Sequence, residues 1–194
     1  MTPNRLNALT DGVVAIVLTI MVLELKFPAE PTLAAALAVL PLLTAYLLAF
    51  VNVAIYWNNH HHLMSSARKI TGGVLWANHA LLFWLTLVPL VIRWIDEAGI
   101  TAWPVAAFGL VLILCAICYQ LLERALIRAE GDSSKVKTAL GTGAKEWIST
   151  GLYLAAIPSA FVSPYISVGC YVVVSILWII PDRRFEQPYA SSSE

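Results

Sequence analysis

Long apolar runs broken by short polar intervals dominate this chain. Six runs predict membrane spans at about Leu9–Leu25, Leu33–Tyr56, Val74–Trp94, Trp103–Leu122, Trp147–Phe161 and Tyr165–Ile180. The first and the last two sit near the lower length limit for crossing roughly 30 Å of hydrocarbon. No alternation of a β-barrel kind is visible, so the expected fold class is all-α, a polytopic membrane protein of six transmembrane helices. Pro28 and Pro31 separate the first two runs, and Pro158 and Pro164 bracket the turn between the last two. Residues 57–73 read as a polar connection holding Asn58, Asn59, His60, His61 and His62. Residues 123–146 read as the longest loop, with amphipathic flanks suited to a membrane surface. The expected division is a six-span domain at 1–182 and a polar cytoplasmic tail at 183–194.

Composition agrees with the pattern. The chain has 194 residues, 59% hydrophobic and 12% charged, where a soluble domain averages about 25% charged. Lysine and arginine placement gives the orientation. With both termini cytoplasmic, the inner segments hold Arg5, Arg68, Lys69, Arg124, Arg128, Lys135, Lys137, Lys145, Arg183 and Arg184, while the outer ones hold only Lys26 and Arg93. The expected location is therefore the cell (inner) membrane, multi-pass. The first span resembles a signal peptide in its apolar stretch, but Glu24-Leu25-Lys26 follows it in place of a small-residue cleavage site. A net charge of zero points to no nucleic-acid partner. Cys115, Cys118 and Cys170 lie within spans and read as packing residues.

The first span carries the candidate chemistry. Between Gly12 and Leu23 there is no charge, yet Asp11 leads the segment. A carboxylate there needs a partner or an aqueous cavity. At about 100° per residue, Gly12, Thr19, Ile20 and Leu23 fall within about 60° of Ile16, and Thr10 and Asp11 lie on the back. The stripe is apolar apart from one hydroxyl. Ordinary helix or lipid packing explains such a stripe as well as a pore does, and Thr19 alone also suits a bond to its own helix. The four histidines all fall between positions 60 and 79. Consecutive histidines splay to different helical faces, so partners for a buried carboxylate explain them better than a metal site. Asp11 with His60, His61, Trp76 and Asn78 would form such a cluster, since all sit at one membrane depth. No phosphate loop, zinc-protease helix or nucleophile elbow occurs, which argues against an enzyme. A Thr-Val-Gly-Tyr-Gly filter is also missing.

These residues resemble a known family. Arg5-x-x-x-Leu9-Thr10-Asp11-Gly12 is similar to the Arg-x-x-x-Phe-Ser-Asp signature of the lysosomal/endosomal potassium channels, whose bacterial members have one six-helix repeat. Ile55-Tyr-Trp-Asn-Asn-His60-His61 resembles that family's Tyr-Trp-x-x-His-His end of span two. Leu75-Trp76-Ala77-Asn78 with Leu85-Thr-Leu-Val-Pro89 resembles its span-three pattern. Leu9 stands where the family has Phe, and Thr10 where it has Ser. The chain holds no second copy of the first-span pattern, so a symmetric pore needs several chains. The resemblance implies a homotetramer whose pore is lined by four copies of the first helix. It further implies hydrophobic constrictions at Ile16 and Leu23, a hydroxyl layer at Thr19, and Arg5, Thr10 and Asp11 anchoring the helix; Gly12 and Ile20, which share the stripe by spacing, are then the expected secondary lining. The implied activity is passive potassium conduction with no cofactor and no metal. The partners are potassium and other monovalent cations and the lipid bilayer. Two alternatives stay open on the residues: a proton- or metal-coupled transporter using Asp11 and the His60/His61/His79 cluster, and a membrane scaffold that transports nothing.

Overall fold

The computed structural model describes residues 2–26, 28–131 and 143–179. Within them lie α1 (Pro3–Leu23), α2 (Leu33–Ala38), α3 (Leu40–Ser66), α4 (Gly72–Leu85), α5 (Val88–Ala98), α6 (Ala102–Glu130), α7 (Ala144–Ser159) and α8 (Pro164–Ile179), with no strand among the described residues. The α2–α3 and α4–α5 pairs each form one rod, so the described residues make six rods. Four of these are long and apolar enough to cross a membrane: Pro3–Leu23, Leu33–Ser66, Gly72–Ala98 and Ala102–Glu130. The chain is a multi-span membrane protein. The remaining two, α7 and α8, have 16 residues each, about 24 Å of helix.

Prolines set the breaks. Pro89 lacks the N–H that would reach Leu85, and its ring crowds that carbonyl, so the third rod breaks at Thr86–Leu87. Pro41 acts in the same way on Leu37, and the second rod turns at Val39. Pro104 sits in the first turn of α6, where no intrahelical bond is lost. Threonines cap two starts: Thr32 Oγ1 accepts from Ala35 N at 3.1 Å, and Thr71 Oγ1 accepts from Val74 N at 3.5 Å.

The bundle is organised around α6. It packs against α4, α5, α7 and α8, and is buried along most of its length by residues such as Phe108, Leu112, Leu122 and Leu126. Polar groups tie helices together where hydrocarbon offers no partner. Asn52 Nδ2 donates to Ser175 Oγ (3.0 Å) between α3 and α8, Tyr56 Oη donates to the Leu112 carbonyl (3.1 Å), and Trp178 Nε1 donates to Ser149 Oγ (2.8 Å). Tyr171, fully buried, donates to the Val105 carbonyl at 3.1 Å and lies directly over Gly109. Cys115 and Cys118 are buried free thiols, and Cys170 is a half-buried one.

Two sequence expectations need correction. Residues 57–66 are the last turns of α3, not part of a connection; only 67–71 link it to α4. Likewise 123–130 continue α6 and are not a separate amphipathic flank of a loop. The fifth rod starts at Ala144 and the last ends at Ile179. The tail at 183–194, and with it the 182/183 division, Lys135, Lys137, Arg183 and Arg184, lies outside the described residues.

Candidate functional site

The first helix has two unlike faces. Leu6, Thr10, Val14, Val17 and Met21 are buried against α3, α4 and α5. Their spacing of three and four residues marks one side of a helix. The other side is bare in the single chain: Ile16 is 58% exposed, Ile20 43% and Leu23 79%, and Gly12 and Thr19 are exposed as well. Leu18 is half-buried and Met21 fully buried. Thr19 Oγ1 donates to its own helix, 2.9 Å from both the Ala15 and Ile16 carbonyls. The hydroxyl proton is thereby held in the backbone, and the oxygen keeps its lone pairs as acceptors.

Behind this helix sits a buried polar triad. Thr10, His60 and Asn78 come from α1, α3 and α4, and none is more than 1% exposed. His60 Nε2 lies 2.8 Å from Asn78 Oδ1, Asn78 Nδ2 donates to Thr10 Oγ1 at 3.2 Å, and Thr10 Oγ1 donates to the Leu6 carbonyl at 3.2 Å. An amide oxygen can only accept, so the 2.8 Å contact assigns the His60 proton to Nε2. Nδ1 has no hydrogen-bond partner among the described residues. The triad is a directed chain of donors that ends in the backbone of the helix it holds.

Asp11 occupies the rim. It is half-exposed, so it is not the buried group that the sequence suggested; the neighbouring hydroxyl is. Trp57 Nε1 donates to Asp11 Oδ1 at 2.8 Å, and Asn7 Nδ2 lies 3.5 Å from both Asp11 Oδ2 and His61 Nδ1. Trp57 and Asn7 were missed in the sequence, although Asn7 stands one helical turn before Asp11. Trp76 is a correction. It is 78% exposed and lies beside His79, with ring centroids 6.0 Å apart and the planes tilted by 51°. Two positions along a helix is about 200° of rotation, so Asn78 facing inward sends Trp76 outward. His79 accepts no role here either: Nδ1 contacts its own Leu75 carbonyl at 2.6 Å. Arg5 is exposed, and among the described residues its side chain has no hydrogen-bond or ion-pair partner in this cluster. Among the described residues no group of three or more His, Cys, Asp or Glu could hold a metal ion.

The far end of α1 is held by charge. Arg93 Nε lies 3.0 Å from Glu97 Oε1 and 4.0 Å from Glu24 Oε2, and Lys26 Nζ lies 3.8 Å from the same Glu97 oxygen. All four side chains are at least partly exposed, so each pair alone adds little. As a network they restrain the segment directly after Leu23.

The arrangement is a helix anchored at both ends from behind, with an apolar face and one hydroxyl left uncovered. Comparison with known proteins gives the same direction. Residues 5–89 match the family model of the endosomal/lysosomal potassium channel TMEM175. A potassium channel of a Chryseobacterium species is 47% identical over 187 residues, covering 96% of this chain and 97% of that one. A potassium channel of Chamaesiphon minutus is 27% identical, covering 91% and 93%. The crystal structure of a lysosomal potassium-selective channel TMEM175 homolog from Chamaesiphon minutus superposes with a TM-score of 0.78 at 26% identity, covering 91% of this chain and 96% of that one.

Proposed function

This chain belongs to the TMEM175 family, and on that premise we propose that it is a potassium channel whose pore is enclosed by four copies of α1. One observation carries the pore assignment: Gly12, Ile16, Thr19, Ile20 and Leu23 form the bare side of a helix whose other side is fully packed. A single helix encloses no path, so the chain must assemble to use that face. Symmetry about an axis along it makes each position a ring.

The rings differ in chemistry. Four Ile16 side chains offer no hydrogen bond to water, so a narrow ring there empties and excludes hydrated ions. Thr19 lies one turn further along with its oxygen lone pairs free, and four such oxygens would replace part of a potassium hydration shell. Leu23 forms a second apolar ring about 10 Å from Ile16. Conduction is passive and uses no cofactor. Thr10, His60 and Asn78 act through position: they set the rotation of α1, and so the register of the rings. We further propose a multi-pass protein of the cell membrane with both termini cytoplasmic; the reading is supported by Arg5, Arg68, Lys69, Arg124 and Arg128 falling on one set of helix ends and Lys26 and Arg93 on the other.

A proton- or metal-coupled transporter is disfavoured by the geometry. His79 bonds its own helix, His60 is held by Asn78, and among the described residues His61 meets Asp11 only through the Asn7 amide, 3.5 Å from each. The test is reconstitution in liposomes with potassium- and proton-sensitive dyes, alongside native mass spectrometry. Tetramers that pass potassium down its gradient without a proton requirement support the reading. Proton-obligate uptake, or an intact tetramer that passes no potassium with Ile16→Asn in place, would overturn it.

A further inference from the structure

At the end of the bundle opposite the Thr10 triad, the bend at Val39 opens a groove of about 370 Å³. This is within the size range of small-molecule sites. Val39, Leu42, Ile95 and Ile100 give it an apolar floor, and Lys26 and Asp96 bring opposite charges to its lining. The two charges are not matched to each other. Lys26 is held at 3.8 Å by Glu97, a long contact that leaves ammonium protons free. Asp96 is half-buried and, among the described residues, has no hydrogen-bond or ion-pair partner. Its carboxylate therefore keeps its acceptor positions open to a donor that enters the groove. Beside the groove, Leu37 and Leu40 are 53% and 50% exposed on rods that cross the membrane.

We propose that this groove binds one phospholipid of the phosphoethanolamine type. Its ammonium would donate to Asp96, its phosphate would sit against Lys26, and its chains would run along Leu37 and Leu40. The charge pattern selects the headgroup. A phosphocholine carries no N–H to donate to Asp96, and a phosphoglycerol has no cation at all. The occupant is coupled to the channel helix, because Lys26 stands three residues beyond Leu23 and shares Glu97 with Arg93. This inference concerns a site away from the pore and does not depend on the pore assignment.

The experiment is native mass spectrometry of the full-length protein in an equimolar mixture of phosphatidylethanolamine, phosphatidylcholine and phosphatidylglycerol. Retained ethanolamine lipid should exceed the other two by about ten-fold, the worth of one charge-assisted hydrogen bond. Asp96→Asn should abolish the preference, whereas Glu30→Gln, an equal charge change on the exposed connection outside the groove, should leave it intact. Should Asp96→Asn fail to fold, the wild-type comparison of the three headgroups still decides. Equal retention of all three, a preference for phosphatidylglycerol, a preference that survives Asp96→Asn, or no retained lipid because a second copy covers the groove would each overturn the assignment.

Discussion

Thr10 connects three helices through one oxygen. That oxygen accepts from Asn78 and donates to Leu6, so removing it strands a buried amide N–H. Thr10→Val keeps the shape and loses the hydroxyl, and should destabilise the protein by about 1–3 kcal/mol. Thr10→Ser, which keeps the hydroxyl, should retain most of the stability. Melting temperatures of the purified protein check both. Asp11→Ala should cost less, about 1 kcal/mol or below, since the stranded Trp57 indole is 41% exposed and finds water; a loss larger than that of Thr10→Val would reverse the ranking of hydroxyl and carboxylate. The sequence led to Asp11 first because charge is conspicuous in an apolar run. Burial of a neighbour about 100° round the helix is set by packing with α3 and α4, which the run itself does not encode. Helical rotation likewise decides His60 over His61, about 100° apart, and Asn78 over Trp76, about 200° apart. Residue types and membrane depth were legible in advance. The choice among adjacent positions required the tertiary register.

At the level of helices, the apolar runs located every rod, and their ends were the least legible part. Asn58 to His62 read as a connection because the residues are polar, yet α3 continues through them to Ser66. Polar residues extend a helix here because another helix supplies partners, as Asn78 does for His60. Glu130 at the end of α6 similarly accepts from the Arg68 backbone N–H at 2.6 Å, which ties the α3–α4 connection to α6. One close helix contact was invisible to hydrophobic pattern altogether. Gly109 faces Tyr171, and a β-carbon at Gly109 would overlap the phenol ring of Tyr171. Tyr171 is fully buried and bonded to Val105, so it has little room to move. Gly109→Ala should therefore destabilise the protein by about 1–3 kcal/mol through overpacking, despite alanine's better helix propensity. Gly151 has open space around its α-carbon, and Gly151→Ala should be neutral or slightly stabilising. Thermal unfolding of the two variants side by side separates crowding from propensity.

For the whole molecule, the decisive feature is a surface that one chain leaves unused. Ile16, Ile20 and Leu23 expose large apolar area on the side of α1 away from the bundle, and in the proposed tetramer that area would face the axis. The consequence is a test of register. Ile16→Asn places four amides where four sec-butyl groups stood; amides hydrogen-bond water, so the ring should stay wet and potassium flux should rise. Thr19→Val preserves volume and removes the acceptor oxygens. It should lower preference for potassium over sodium, with little effect on assembly because Thr19 bonds only its own helix. Leu18→Asn is the control on the half-buried flank and should not raise flux. Met21→Asn is a different control: Met21 is fully buried, so the change should reduce tetramer yield and leave the flux per assembled tetramer unchanged. Bi-ionic reversal potentials in planar bilayers, read against tetramer content from native mass spectrometry, separate the four variants. Raised conductance in Leu18→Asn with none in Ile16→Asn would rotate the pore face by about 160°, since two residues separate the positions. The Thr10 triad would then lie nearer the axis than the stripe now assigned to it, and the division of α1 into an anchored back and a conducting front would fail.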